Sequence, residues 1–142
     1  MNLTAHFADY ELQCKCRRHR DRQLCNVDRQ LLDLAERVRG ILKVPMIVTS
    51  CCRCPEHNAE SGGSPTSKHI CTPTQPARAM DFRPQHSLSP AAAYNAIVKA
   101  WRDGRLSELG GIGLYDWGLH IDTAKAADGH LRTWDYRTKK KE

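Results

Sequence analysis

No apolar run in this 142-residue chain approaches the roughly twenty residues that would span a bilayer, and its longest candidate, Val44 to Val48, is only strand-sized. The N-terminus lacks a basic patch followed by an apolar core, so no secretory signal is expected. The chain is read as made in the cytoplasm and, if it acts outside, as carried there by something else. Paired C-x-x-C motifs of the zinc-ribbon kind are missing as well. So are internal repeats and any domain-sized linker, which leaves a single domain over 1–142. That length suffices for a core without disulfide staples.

What is present is positive charge and cysteine. The net charge of +6 is unevenly placed. Lys15, Arg17, Arg18, Arg20 and Arg22 crowd a cysteine-bearing loop at 13–25, and three lysines sit in the tail at 137–142. Such charge suits a polyanion, either nucleic acid or the anionic polymers of a bacterial envelope, or serves as a solvated face. The seven cysteines form two groups, Cys14, Cys16 and Cys25, then Cys51, Cys52, Cys54 and Cys71. Free or packed thiols, disulfides and a second, structural metal all remain open, with at least one thiol unpaired because the count is odd.

Leu3 to Leu12 alternates weakly. Asn26 is expected to cap a helix from Val27, with Leu31, Leu34, Ala35, Val38 and Leu42 inward and Arg29, Asp33, Glu36 and Arg37 outward, ended by Pro45. Met46 to Thr49 reads as a buried strand, and Pro55 opens a short helix that stops at Gly62-Gly63. Ala79 to Phe82 is a second apolar stretch. Ser89 and Pro90 start a helix whose inner face is Ala93, Ile97, Ala100 and Trp101. Gly110 to Tyr115 and Leu119 to Asp122 form a hairpin around Asp116–Gly118, and a last strand runs near Leu131 to Tyr136. The predicted class is α+β, a small antiparallel sheet with helices packed on one face.

Chemistry concentrates between Thr49 and Asp81. His69 and Asp81, each beside a strand edge and joined by a loop, suit a divalent metal that takes nitrogen and oxygen ligands. His120, between Leu119 and Ile121, supplies the third ligand, and alternation puts Asp122 on the same face. Three ligands with one position left for water is the catalytic zinc pattern.

These residues carry a resemblance. Thr49-Ser50-x-x-Arg53-x-Pro55-x-His57-Asn58, Gly62-Gly63-x-Pro65-x-Ser67-x-His69, Ala79-x-Asp81, Gly111-Ile112-Gly113-x-Tyr115 and His120-Ile121-Asp122-Thr123 occur in order. Together they resemble the zinc-dependent D-alanyl-D-alanine carboxypeptidase family, which includes bacteriophage endolysin peptidases and shares its metal site with the hedgehog fold. The resemblance implies a peptidase cutting stem-peptide or cross-link bonds of peptidoglycan at the cell wall. It also implies zinc on His69, Asp81 and His120, with Arg53 as the active-site arginine. Five extra residues separate His69 from Asp81 relative to the family pattern, and Trp117 stands where many members have an acid.

The mechanism expected is metal-assisted peptide hydrolysis, with Arg53 on the oxyanion or a substrate carboxylate. Asp122 is expected as general base slightly ahead of Asp116. His57 and Asn58 are read as structural, and Tyr115 and Trp134 as core or cleft wall. Two other classes are weighed: a virion or wall-binding protein without turnover, and a nucleic-acid binder built on the cysteine loop. The second leaves the His69, Asp81, His120 set without a role, so no specific nucleic-acid partner is expected.

Overall fold

Side-chain alternation on the central strands divides this fold into a core face and a working face. The structure, a computed structural model, describes residues 1–19 and 23–138. Arg20, Arg22 and the lysines at 139–141, which carry part of the expected basic patch, lie outside the described residues.

In chain order the helices are α1 (Asp9–Leu12), α2 (Arg29–Leu42), α3 (Pro55–Glu60) and α4 (Pro90–Arg102). The strands are β1 (Met46–Ser50), β2 (Ala79–Pro84), β3 (Gly111–Leu114), β4 (Leu119–Asp122) and β5 (Arg132–Asp135). The sheet order is β1-β2-β4-β3-β5. Three of its pairings are antiparallel, and β3 with β5 is parallel. The parallel pair follows from the hairpin: β4 ends beside the start of β3, so the connection at 123–131 enters β5 in the direction of β3. The α+β class holds, with this one departure from an all-antiparallel sheet.

Two cross-strand rows point into the core, Met80–Ile121–Ile112 and Phe82–Leu119–Leu114, and all six side chains are buried. Helix α4 covers β2 and β3 with Ala93, Ile97 and Ala100, while α2 packs on α4. Leu31, Leu34, Ala35, Val38 and Leu42 of α2 are buried at helical spacing. Each large apolar side chain so removed from water contributes about 1.5–3 kcal/mol before the entropy of ordering it is counted.

Capping differs from expectation at α2. Asp28, not Asn26, caps the helix by accepting from the Gln30 N–H at 3.3 Å. Asn26 is drawn elsewhere: its side chain donates to the Thr72 carbonyl at 2.8 Å, and Val27 bridges to Ala77. Ser89 caps α4 as expected, accepting from Ala92 N–H at 3.1 Å with Pro90 in the first turn. The weakly alternating segment up to Leu12 ends in the short helix α1 and buries Phe7 and Leu12. Among the described residues no helix is long and apolar enough to cross a membrane.

Candidate metal centre

The opposite face of the sheet carries the chemistry. Register places Ser50, Asp81, His120, Gly113 and Trp134 in one row across all five strands. A second row, Ala79, Asp122, Gly111 and Arg132, lies on the same face two residues along. Asp81 on β2 and His120 on β4 are therefore direct cross-strand neighbours, with Asp81 Oδ1 2.9 Å from His120 Nδ1.

His69 arrives from the loop after α3. The Arg53 N–H donates to the His69 carbonyl at 2.9 Å, and Ile70 bridges to Arg53, so the loop is stitched to the exit of β1. The residues between His69 and Asp81 leave as a turn at Thr72–Gln75. The chain is closed beneath that turn by the Arg78 N–H donating to the Lys68 carbonyl at 2.8 Å. The longer spacing thus adds a loop and leaves Asp81 beside His69, whose Nε2 stands 3.1 Å from Asp81 Oδ1. Asn58, buried, donates to the Ser64 carbonyl at 2.9 Å and braces this loop, in keeping with a structural reading.

Donor and acceptor accounting shows what the trio can hold. His69 Nδ1–H donates to the Cys51 carbonyl at 2.9 Å, which leaves Nε2 as a lone pair. That Nε2 is buried and has no hydrogen-bond partner, and the polar atom facing it at 3.1 Å is an acceptor oxygen of Asp81. On the other side, His120 Nε2 lies 2.8 Å from Asp122 Oδ2 and donates to it, so that a neutral His120 turns its Nδ1 lone pair towards Asp81, 2.9 Å away. Three such ligand atoms within 4.8 Å of one another call for positive charge among them, either a metal ion or a proton on His120. The residues fit a divalent ion with two imidazoles and one carboxylate.

Electrostatics agree with that accounting. Burial alone would raise Asp81, but the His120 and His69 imidazoles beside it outweigh that and hold it far below the usual carboxylate range. Burial would lower His120, but Asp122 and Asp81 outweigh it and push it up to about 9.

Asp122 is 2% exposed and both its oxygens are engaged. Oδ2 meets His120, while Oδ1 accepts from the Ala124 N–H at 3.0 Å and from the Arg132 guanidinium. Burial raises this carboxyl, and the His120 and Arg132 bonds bring it below its ordinary value. Asp116, the other expected base, is exposed; Oδ2 accepts the Thr138 hydroxyl at 2.6 Å and Oδ1 faces its N–H at 3.2 Å. Those bonds lower Asp116, and it does not line the cleft over the trio. The structure thus brings His69, Asp81 and His120 together with Asp122 behind His120, and it leaves Asp116 outside.

Arg53 reaches the same centre. Its Nη2 is 3.3 Å from Asp81 Oδ2, and its Nε donates to Ser50 Oγ at 2.8 Å. Over the trio opens a cleft of about 530 Å³ in which Asp81 is the sole carboxylate among the described residues. Aromatic side chains form one wall: Trp117 stacks on Tyr115 at 4.8 Å between ring centres, and the Trp134 indole N–H donates to the Tyr115 hydroxyl at 2.8 Å. Trp117, at the position where an acid was sought, is thus half-exposed cleft wall. The sequence reading had not singled out Arg132, whose one signal is its place two residues before Trp134 on the last strand.

A family model described as Peptidase M15 matches residues 5–122 of this chain. No curated protein and no solved structure matches it.

Proposed function

Because the chain belongs to the peptidase M15 family, we propose that it is a zinc peptidase, endolysin-like or D-alanyl-D-alanine carboxypeptidase-like, that cuts stem-peptide or cross-link bonds of peptidoglycan at the bacterial cell wall. The observation that carries this reading is the buried, partnerless His69 Nε2 converging with Asp81 and His120 under an open cleft. His69 through Nε2, Asp81 through Oδ1 and His120 through Nδ1 would hold the ion. Zinc in such a site supplies Lewis acidity and activates water near neutral pH.

The chain's own residues do the rest. The Cys51 carbonyl and the Asp122 carboxylate each take the far N–H of a ligand histidine, which fixes both tautomers and turns both lone pairs towards Asp81. Arg53 keeps N–H groups beyond those given to Ser50 and Asp81, and these suit a substrate carboxylate or a developing oxyanion. The aromatic wall and the Gly62-Gly63 turn border the cleft, whose open side suits a peptide entering from solvent. The net charge of +6 favours an anionic envelope as the setting.

The test is digestion of purified sacculi by the wild type, His120→Ala and Arg53→Ala, with mass spectrometry of the released muropeptides and metal analysis of each protein. His120→Ala should lose one zinc equivalent, and its turnover should fall roughly 100-fold or more. Arg53→Ala should keep zinc but lose turnover on a similar scale. Unchanged metal content in His120→Ala would remove the proposed site. A zinc-loaded wild type that binds sacculi yet releases no peptide would point to a wall-binding protein that keeps the fold without turnover.

A further inference from the structure

A second group of metal-ligating side chains lies outside the cleft. Cys14, Cys16, His19 and Cys54 each bring one ligand atom to within 4.8 Å of the others. Cys16 Sγ is 3.6 Å from Cys14 Sγ and 3.6 Å from Cys54 Sγ. Those separations are far beyond a disulfide bond of about 2.05 Å. They match zinc, whose sulfurs at about 2.3 Å in tetrahedral geometry stand about 3.8 Å apart. The fourth member is independently short of a partner: His19 Nε2 is buried with no hydrogen bond.

Backbone donors already face the sulfurs. The Cys54 N–H donates to Cys14 Sγ at 3.3 Å, and the His57 N–H donates to Cys54 Sγ at 3.4 Å. Such bonds favour the thiolate form that a metal requires. Three thiolates and a neutral imidazole around a divalent ion leave one net negative charge, and Lys15, Arg17 and Arg18 stand in the same segment to offset it.

We propose that Cys14, Cys16, His19 and Cys54 form a closed structural zinc site, separate from the cleft. All four positions are filled by protein, so the site has no place for water or substrate. Its role follows from what it joins. Cys14, Cys16 and His19 belong to the basic N-terminal loop, whereas Cys54 follows Arg53 and caps α3. The ion would pin that loop to the segment whose Cys51 carbonyl orients His69 and whose Arg53 contacts Asp81. This inference is independent of the peptidase reading, since it concerns a different set of ligands.

The experiment reads metal and thiolates, not activity. The reduced wild-type chain should carry about two zinc equivalents, His120→Ala about one, and Cys16→Ser about one. Cobalt(II) exchanged into the wild type should give thiolate-to-cobalt charge-transfer absorption, because the cleft site contains no sulfur. That absorption should persist in His120→Ala. Should Cys16→Ser not fold, alkylation of the native wild type gives the same answer, with Cys14, Cys16 and Cys54 protected until a chelator is added. Cobalt protein without thiolate bands would overturn the proposal. So would immediate alkylation of those three cysteines in zinc-loaded protein, or a Cys14–Cys16 or Cys16–Cys54 disulfide in the native chain.

Discussion

Asp122 Oδ2 accepts the Nε2–H of His120 at 2.8 Å, on the ring nitrogen that does not face Asp81. A carboxylate so placed fixes the ring and raises its basicity as a ligand. Its second oxygen is taken by Arg132 and the Ala124 N–H, so neither is turned to the cleft. Asp122→Asn should therefore lower metal affinity about 10- to 100-fold. At saturating zinc its turnover should recover to within about tenfold of wild type, a smaller loss than removal of a general base would cause. Asp116→Asn should leave zinc binding and turnover nearly unchanged, because its carboxylate serves Thr138. Equilibrium zinc titration beside turnover at high zinc separates the roles: a deep, zinc-independent loss in Asp122→Asn would make Asp122 the proton-transfer group.

Much of this centre was legible because alternation is a local property. His120 between two apolar residues on a short strand is enough to place Asp122 on its side, and the structure has both on one face. What alternation does not carry is the identity of the neighbour across the strand. Arg132 comes from β5, over Gly111, and its meeting with Asp122 depends on the parallel β3–β5 register. The sequence therefore offered Asp122 as a base without the partner that occupies it. The cap of α2 failed for a related reason. Asn26 and Asp28 are both good capping residues, and the choice was made by Thr72, a residue far along the chain. Helix α4 was readable throughout, since Ser89, Pro90 and the inward alanines are all short-range signals.

Gly113 is fixed by what crosses it. A Cβ there would stand 2.1 Å from Nε1 of Trp134, the indole that lies over β3 beside His120 and donates to Tyr115. Gly113→Ala should displace that indole and break its bond to Tyr115, destabilising the protein by about 2 kcal/mol. Denaturant midpoints give the first quantity, and tryptophan fluorescence should report the change in environment. The pairing of His120 with Asp81 lies on neighbouring strands, so zinc content should survive. An unchanged midpoint and unchanged emission would mean that the strand flexes enough to absorb the methyl group.

Glu36 supplies a pH prediction away from the metal ligands. Although it sits on the outward face of α2, its Oε2 accepts from the Thr4 hydroxyl and the His6 N–H at 2.7 Å each, and Oε1 meets His6 Nδ1 at 2.7 Å. Partial burial raises its pKa, but these bonds to Thr4 and His6 outweigh that and leave it below the usual glutamate value. A carboxyl depressed in the folded state contributes stability that is fully present above the unfolded-state pKa of about 4.3. The contribution is lost as pH falls through the folded-state value. Glu36→Gln keeps the size of the side chain and removes the charge, so it should cost about 1 kcal/mol at pH 5.5. At pH 3 the wild type has begun to lose the same contribution, and the gap between the two proteins should narrow. Urea denaturation of both at the two pH values measures it, with other titrating groups cancelling in the difference. A gap that stays constant or widens at pH 3 would show that Glu36 holds Thr4 and His6 through shape alone, with no part played by its charge.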